Sequence, residues 1–250
     1  MASKQRWPFV VVACAGCVAF VVAYAILFGG DRDEPITAAP CPHGPTTPGI
    51  DVSYYQEAIH WNRVRRAGVL FAFIRVSDGA TFLDPRFDSN WAGAERAGIM
   101  RGAYQYFRPD ESAIAQADVL IAALQRDRGE LPPVIDVESE GGKSPAQIAR
   151  AVTLWVERVR TRLGVEPIIY TGPDFWRTKV GNADLSSQPL WLAHYTTGCP
   201  TIPAPWTAWT FWQHTDSGTV PGIDGPTDLD VFAGTFAELE EFARRSRRSP

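Results

Sequence analysis

The chain has 250 residues, 45% of them hydrophobic and 21% charged, the composition of a globular protein able to build a sizeable core. A formal net charge of −4 supplies no cationic field for phosphates, so nucleic acid is not an expected partner. The four histidines, His43, His60, His194 and His214, lack metal-ligand spacing, and neither a metal nor another cofactor is expected.

Residues 1–8 contain Lys4 and Arg6, an uncharged run extends from Phe9 to Phe28, and Asp31, Asp33 and Glu34 follow. Twenty helical residues at about 1.5 Å each span about 30 Å, the hydrocarbon thickness of a bilayer. The flanking charges place residues 1–8 in the cytoplasm, a transmembrane anchor over 9–28 and the rest on the periplasmic or extracellular side. Two other readings stay open. Ala23-Tyr24-Ala25 suits signal-peptide cleavage, which would release a secreted protein; Cys14 or Cys17 offers an acylation site, although neither ends the apolar run.

Residues 29–48 are rich in Pro, Thr and Asp without apolar periodicity, which reads as an extended stalk. Cys41 in the stalk and Cys199 are the cysteines outside the anchor. An oxidising compartment permits them to pair, and two independent thiols are the alternative.

A catalytic body is expected over 49–243. GIDVS is followed by a helical stretch around Trp61 to Ala67, LFAFIRVS by PRFDSNWAGAERAG, and RGAYQYF by SAIAQADVLIAALQ. LPPVIDVE leads into a helix in which Ile148, Val152, Trp155, Val156, Val159 and Leu163 recur at helical spacing. Ser144 is its predicted N-cap, Pro145 its first residue, Gln147 completes a capping box and Gly164 follows its end. EPIIYTG, PLWLAHY, WTFWQHT and TDLDVF are further strands, with short connections and no convincing helices between them, before the amphipathic TFAELEEFARR. Strands with repeated crossovers predict an α/β fold, an irregular, TIM-like parallel β/α barrel, with a doubly wound open sheet as its competitor. Residues 244–250 form a basic tail.

The run VIDVE sets two carboxylates two positions apart at a strand end. Because side chains alternate, Asp136 and Glu138 share a face and Val137 takes the other, with Cα atoms about 6 to 7 Å apart. In a barrel that end opens into the mouth where active sites lie. Glycoside hydrolysis needs an acid for the leaving oxygen and a negative or nucleophilic partner for the cation-like sugar carbon. Mutual repulsion between close carboxylates keeps one protonated near neutrality. Other strand ends bring Asp51 and Ser53, Gln105 and Tyr106, Tyr170, His194 and Tyr195, Gln213 and Asp228. Acids with aromatics suit a sugar cleft, although each aromatic alone also fits a barrel core.

GIDVSYYQ with Trp61 downstream, FAFIRVSDG, the Asp84, Phe87 and Asn90 cluster, AGIMRGAYQYF, LPPVIDVE, PIIYTG, PLWLAHY and FWQHTDSGTVPGIDGPTDLDVF resemble, in order, the blocks of glycoside hydrolase family 25, the Chalaropsis-type lysozymes. The resemblance spans about residues 49 to 240. It implies a modified β/α barrel, free of metal, whose groove cuts the β-1,4 bond between N-acetylmuramic acid and N-acetylglucosamine in peptidoglycan. It further implies Glu138 as general acid, Asp136 as its partner carboxylate, Asp51 and Asp228 as the other two acids, and Tyr170, Trp191 and Tyr195 as contributors to the groove; the strand-end residues Tyr106, Gln105 and Gln213 complete the substrate-binding candidates. The third block commonly has His where this chain has Gln105, an amide that can hydrogen-bond but not titrate. Net retention through the substrate's 2-acetamido group is the expected chemistry, with direct attack by Asp136 or inversion through water as alternatives. Peptidoglycan strands and, through the anchor, the membrane are the expected partners of a monomeric catalytic domain. A chitinase-like hydrolase is disfavoured because Leu131 to Ile135 offer no acids upstream of Asp136. A silent wall-binding barrel would not need all four acids.

Overall fold

Strand-forming runs of β-branched and aromatic residues give β1 (Thr47–Val52), β2 (Phe71–Asp78), β3 (Phe82–Leu83), β4 (Met100–Tyr106), β5 (Val134–Asp136), β6 (Ile168–Thr171), β7 (Leu190–Ala193), β8 (Phe211–Gly218) and β9 (Thr227–Phe232). The computed structural model describes residues 44–181 and 183–247. The predicted anchor and most of the predicted stalk lie outside them, and among the described residues no helix is long and apolar enough to cross a membrane. Cys199 is disulfide-bonded, and its partner lies outside the described residues.

The strands run in the order β1, β9, β8, β7, β6, β5, β4, β2, β3, and a β1–β2 pairing closes the ring, leaving the two-residue β3 as a flap on β2. Neighbours from β1 through β2 and β4 to β8 are parallel, whereas β9 is antiparallel to both β8 and β1. The expected parallel, irregular barrel is found, with its last strand reversed. A parallel return needs a long crossover, and loop 219–226 permits only a hairpin.

Helices cross over between strands: α1 (Trp61–Arg66), α2 (Phe87–Arg96), α3 (Ala113–Ala123) and α4 (Pro145–Leu163). Helix α4 starts as its sequence predicts, with the Ser144 N–H donating to Gln147 Oε1 at 2.9 Å, and it ends at Gly164 with φ 67°. The later part is less bare than expected, since Pro173–Phe175 runs into a π-helical turn, Trp176–Val180, before β7. Helix α5 (Phe236–Ser246) follows β9.

Period-two alternation sorts the core into two shells. Ile50, Ile74, Ile135, Ile169, Leu192 and Val231 join one cluster with helix residues such as Val64, Leu120 and Val152. Phe71, Phe73, Val134, Ile168, Trp191, Phe211 and Phe232 form the other, inside the barrel, with Leu239 and Ala243 of α5 packed against them. Burying each such side chain is worth about 1.5–3 kcal/mol. The interior is tight enough to dictate glycine. A Cβ on Gly49 would lie 2.3 Å from the Phe71 ring, and one on Gly102 2.4 Å from Phe73. Apolar rings therefore fill the lower barrel, and what remains open above them is the mouth.

Candidate active site

The mouth is a groove of about 410 Å³ at the C-terminal ends of the parallel strands. Its lining includes nine of the ten site residues predicted from sequence: Asp51, Tyr106, Asp136, Glu138, Tyr170, Trp191, Tyr195, Gln213 and Asp228. Asp228 is the second residue of β9, and because β9 is reversed its beginning lies at this mouth. The register sets Asp228 directly opposite Asp51. A strand end on β1 and a strand start on β9 thus meet by topology.

Gln105 is the exception, and the expectation of a sugar contact there is corrected. Tyr104 and Tyr106 point into the groove, so Gln105 between them faces the helices. It is fully buried; its Nε2 donates to Ser77 Oγ at 2.7 Å and its Oε1 accepts from Trp155 Nε1 of α4 at 2.7 Å. A titrating side chain is not needed for that duty.

Strand β5 ends at Asp136, but the extended path continues. Val137 N–H donates to Tyr170 O and Val137 O accepts from Thr171 Oγ1, each at 2.9 Å, while Val137 is buried on the outer side. The local backbone so tied aims Asp136 and Glu138 into the same groove, as the D-x-E alternation predicts. Asp136 is 6% exposed and its Oδ1 has no hydrogen-bond partner within the protein. Burial pushes its carboxyl well up, Glu138 and Asp78 add repulsion, and Arg75 and Arg108 oppose the rise. The Glu138 carboxyl is also raised, by the surrounding protein, against the pull of Arg108 and the nearby Tyr170 hydroxyl. Both are therefore placed to hold protons nearer neutrality than free carboxyls do.

Opposite them, Gln213 organises a polar chain. Its Nε2 donates to Asp51 Oδ2 at 2.6 Å, and its Oε1 accepts from Tyr170 Oη at 2.9 Å and Tyr195 Oη at 2.7 Å. Burial raises the Asp51 carboxyl well above the usual range, with Asp228 and Asp230 adding repulsion and the Gln213 bond opposing. Burial, then Asp216 and Glu138, push Asp228 up to about 6.

Sequence reasoning missed several groups, Tyr55 and Gln56 of the groove lining among them. Arg75, Asp78, Tyr104 and Arg108 line the groove. Asp230 lies beneath it, 1% exposed, accepting the Trp191 Nε1 proton at 2.8 Å. Alternation within FAFIRVSD, RGAYQY and TDLDVF carried the signal for Arg75, Tyr104 and Asp230. Arg108 pairs with Asp78 through two hydrogen bonds, Nε to Oδ1 at 2.5 Å and Nη2 to Oδ2 at 2.7 Å, so the rim near Glu138 carries a fixed cation.

Carboxyls held at raised proton affinity over an aromatic-lined groove, at the mouth of a β/α barrel, define a glycoside-cleaving site. The glycosyl hydrolases family 25 model matches residues 50–223. YegX of Escherichia coli is 37% identical, covering 98% of each chain. Lysozyme M1 of Streptomyces globisporus is 36% identical across 79% of this chain and 71% of its own length. The crystal structure of the bacterial lysozyme from Streptomyces coelicolor superposes with a TM-score of 0.74 at 33% identity, covering 80% of this chain and 98% of that one. The chain belongs to glycosyl hydrolase family 25 and is an enzyme of that class.

Proposed function

We propose that this protein is a lysozyme-type muramidase that hydrolyses the β-1,4 bond between N-acetylmuramic acid and N-acetylglucosamine in peptidoglycan, with Glu138 as general acid. The observation that carries the reading is the convergence of Asp51, Asp136, Glu138 and Asp228 on one groove in a family 25 barrel. The names of the lysozyme relatives support the substrate.

Glu138 borders the open side of the groove and gives its proton to the leaving glycosidic oxygen. Asp136, whose Oδ1 has no partner within the protein, accepts the N–H of the substrate's 2-acetamido group. The acetamido carbonyl oxygen then attacks the anomeric carbon as the glycosidic bond breaks, giving a cyclic oxazolinium. Water adds to that carbon and loses a proton to Glu138, which restores the acid and leaves net retention. Asp51 and Asp228, across the groove, stabilise the positive charge on the sugar.

Replacing Glu138 by Gln should lower turnover by about 10² to 10⁴-fold while wall binding persists. NMR of the first-formed reducing sugar should show the β anomer; an α anomer would discard the acetamido route. Wild-type protein that binds walls but releases no reducing muramic ends would overturn the activity itself.

The 9–28 run supports a membrane tether that holds a monomeric catalytic domain outside the cytoplasm. Recovery of the whole protein in the soluble extracellular fraction, lacking its first residues, would show release instead. The partner of Cys199 is taken to be Cys41, and peptide mapping without reductant should recover the two linked.

A further inference from the structure

Tyr55, 69% exposed, lines the same groove as Asp51 and Glu138. It does not stand alone. Its ring centroid is 4.3 Å from that of Tyr54, which is 5.5 Å from Phe82, and Phe82 and Leu83 are themselves 43% and 62% exposed. Phe82 and Leu83 form β3, held on β2 opposite Asp78 and Ser77, and Asp78 is a groove residue. The patch is therefore continuous with the groove rather than separate from it.

Its rigidity is built from below. The Arg75 guanidinium lies 5.0, 5.4 and 6.0 Å from the ring centroids of Tyr54, Tyr55 and Phe82. Arg75 is fixed in turn by Asp84, which accepts its Nε at 2.9 Å and the Tyr54 backbone N–H at 3.0 Å. Scattered exposed aromatics need no explanation, but a rigid, contiguous set beside a groove marks a binding surface. The surface suits an uncharged ring. Sugar C–H faces carry partial positive charge and stack on electron-rich aromatic faces. A carboxylate-bearing stem peptide would want an open cation, whereas Arg75 beneath the rings is 6% exposed and paired.

We propose that Tyr54, Tyr55, Phe82 and Leu83 form a further sugar subsite that carries the glycan strand past the sugars flanking the cleaved bond, with one pyranose stacked on Tyr55. This rests on reading the groove as glycan-cleaving and adds where the strand continues. The platform makes the enzyme a reader of strand length.

The test uses the full chain bearing Glu138→Gln, so that bound glycan stays intact, with short and long peptide-free peptidoglycan oligomers titrated by calorimetry. Adding Tyr55→Ala or Phe82→Ala should weaken the long oligomer by about tenfold and the short one far less. Tyr55→Trp should restore the length dependence. Thermal melting checks that each variant is folded, and the exposure of both rings leaves little packing to lose. Equal losses on both lengths, or none on the long one, would overturn the subsite. Failure of the wild-type enzyme to hydrolyse peptidoglycan would count against the activity and leave this binding comparison intact.

Discussion

At Asp230 one carboxyl oxygen accepts the Trp191 indole proton, while the other is buried without a donor. The neighbouring carboxyl is that of Asp51, and two carboxyls can bond to each other only through a shared proton. Burial raises both groups, with Asp228 adding repulsion to each. The groups facing Asp51 are Asp228 and Asp230 from β9, Gln213 from β8, Tyr195 after β7, Tyr170 from β6, Asp136 from β5 and Tyr104 from β4. Asn at position 230 removes a negative neighbour and can donate to Asp51. Asp230→Asn should therefore move the Asp51 titration to lower pH, read from its side-chain carboxyl carbon by NMR. An unmoved titration would show that the two do not share a proton. The signal for Asp230 was present in TDLDVF, where it stands two places after Asp228 on the same face; reading only strand ends passed over it.

For the elements, Gln105 and Trp155 show how far strand-end reading reaches. Their hydrogen bond joins β4 to α4 in the buried layer outside the barrel. Trp155→Phe leaves the Gln105 carbonyl oxygen buried without that donor, a cost of about 1–3 kcal/mol. Chemical denaturation should show that loss, with turnover by the folded enzyme unaltered; a drop in turnover at unchanged stability would return Gln105 to the groove. Strand identities, crossover helices and the cap of α4 were legible because period two, period 3.6 and capping chemistry are local. The reversal of β9 was legible in principle, since loop 219–226 is too short for a crossover. The β3 flap was not legible. Its two residues carry no period, and their exposure, not their pairing, gives them meaning.

Across the whole molecule, the cost of collecting acids at one mouth appears as pH dependence. A carboxyl raised on folding binds protons more tightly in the folded state. Its stabilising contribution is present in full below the unfolded value of about 4 and is lost as pH rises through the folded value. For Asp228 that window closes at about 6. Melting temperature should therefore fall from pH 4 toward neutrality, and Asp228→Asn should flatten part of that slope; an unchanged slope would mean that Asp228 is not raised by its surroundings. The reversed β9 has one more effect. Since β1 runs up to the mouth and β9 runs back down, the backbone joins and leaves the ring side by side on the floor, where Thr47 Oγ1 donates to Gly234 O at 2.8 Å. Coupled to a solid support through either end of the barrel, the protein would turn its cutting face outward, and a fusion at one end or the other would meet the same geometry.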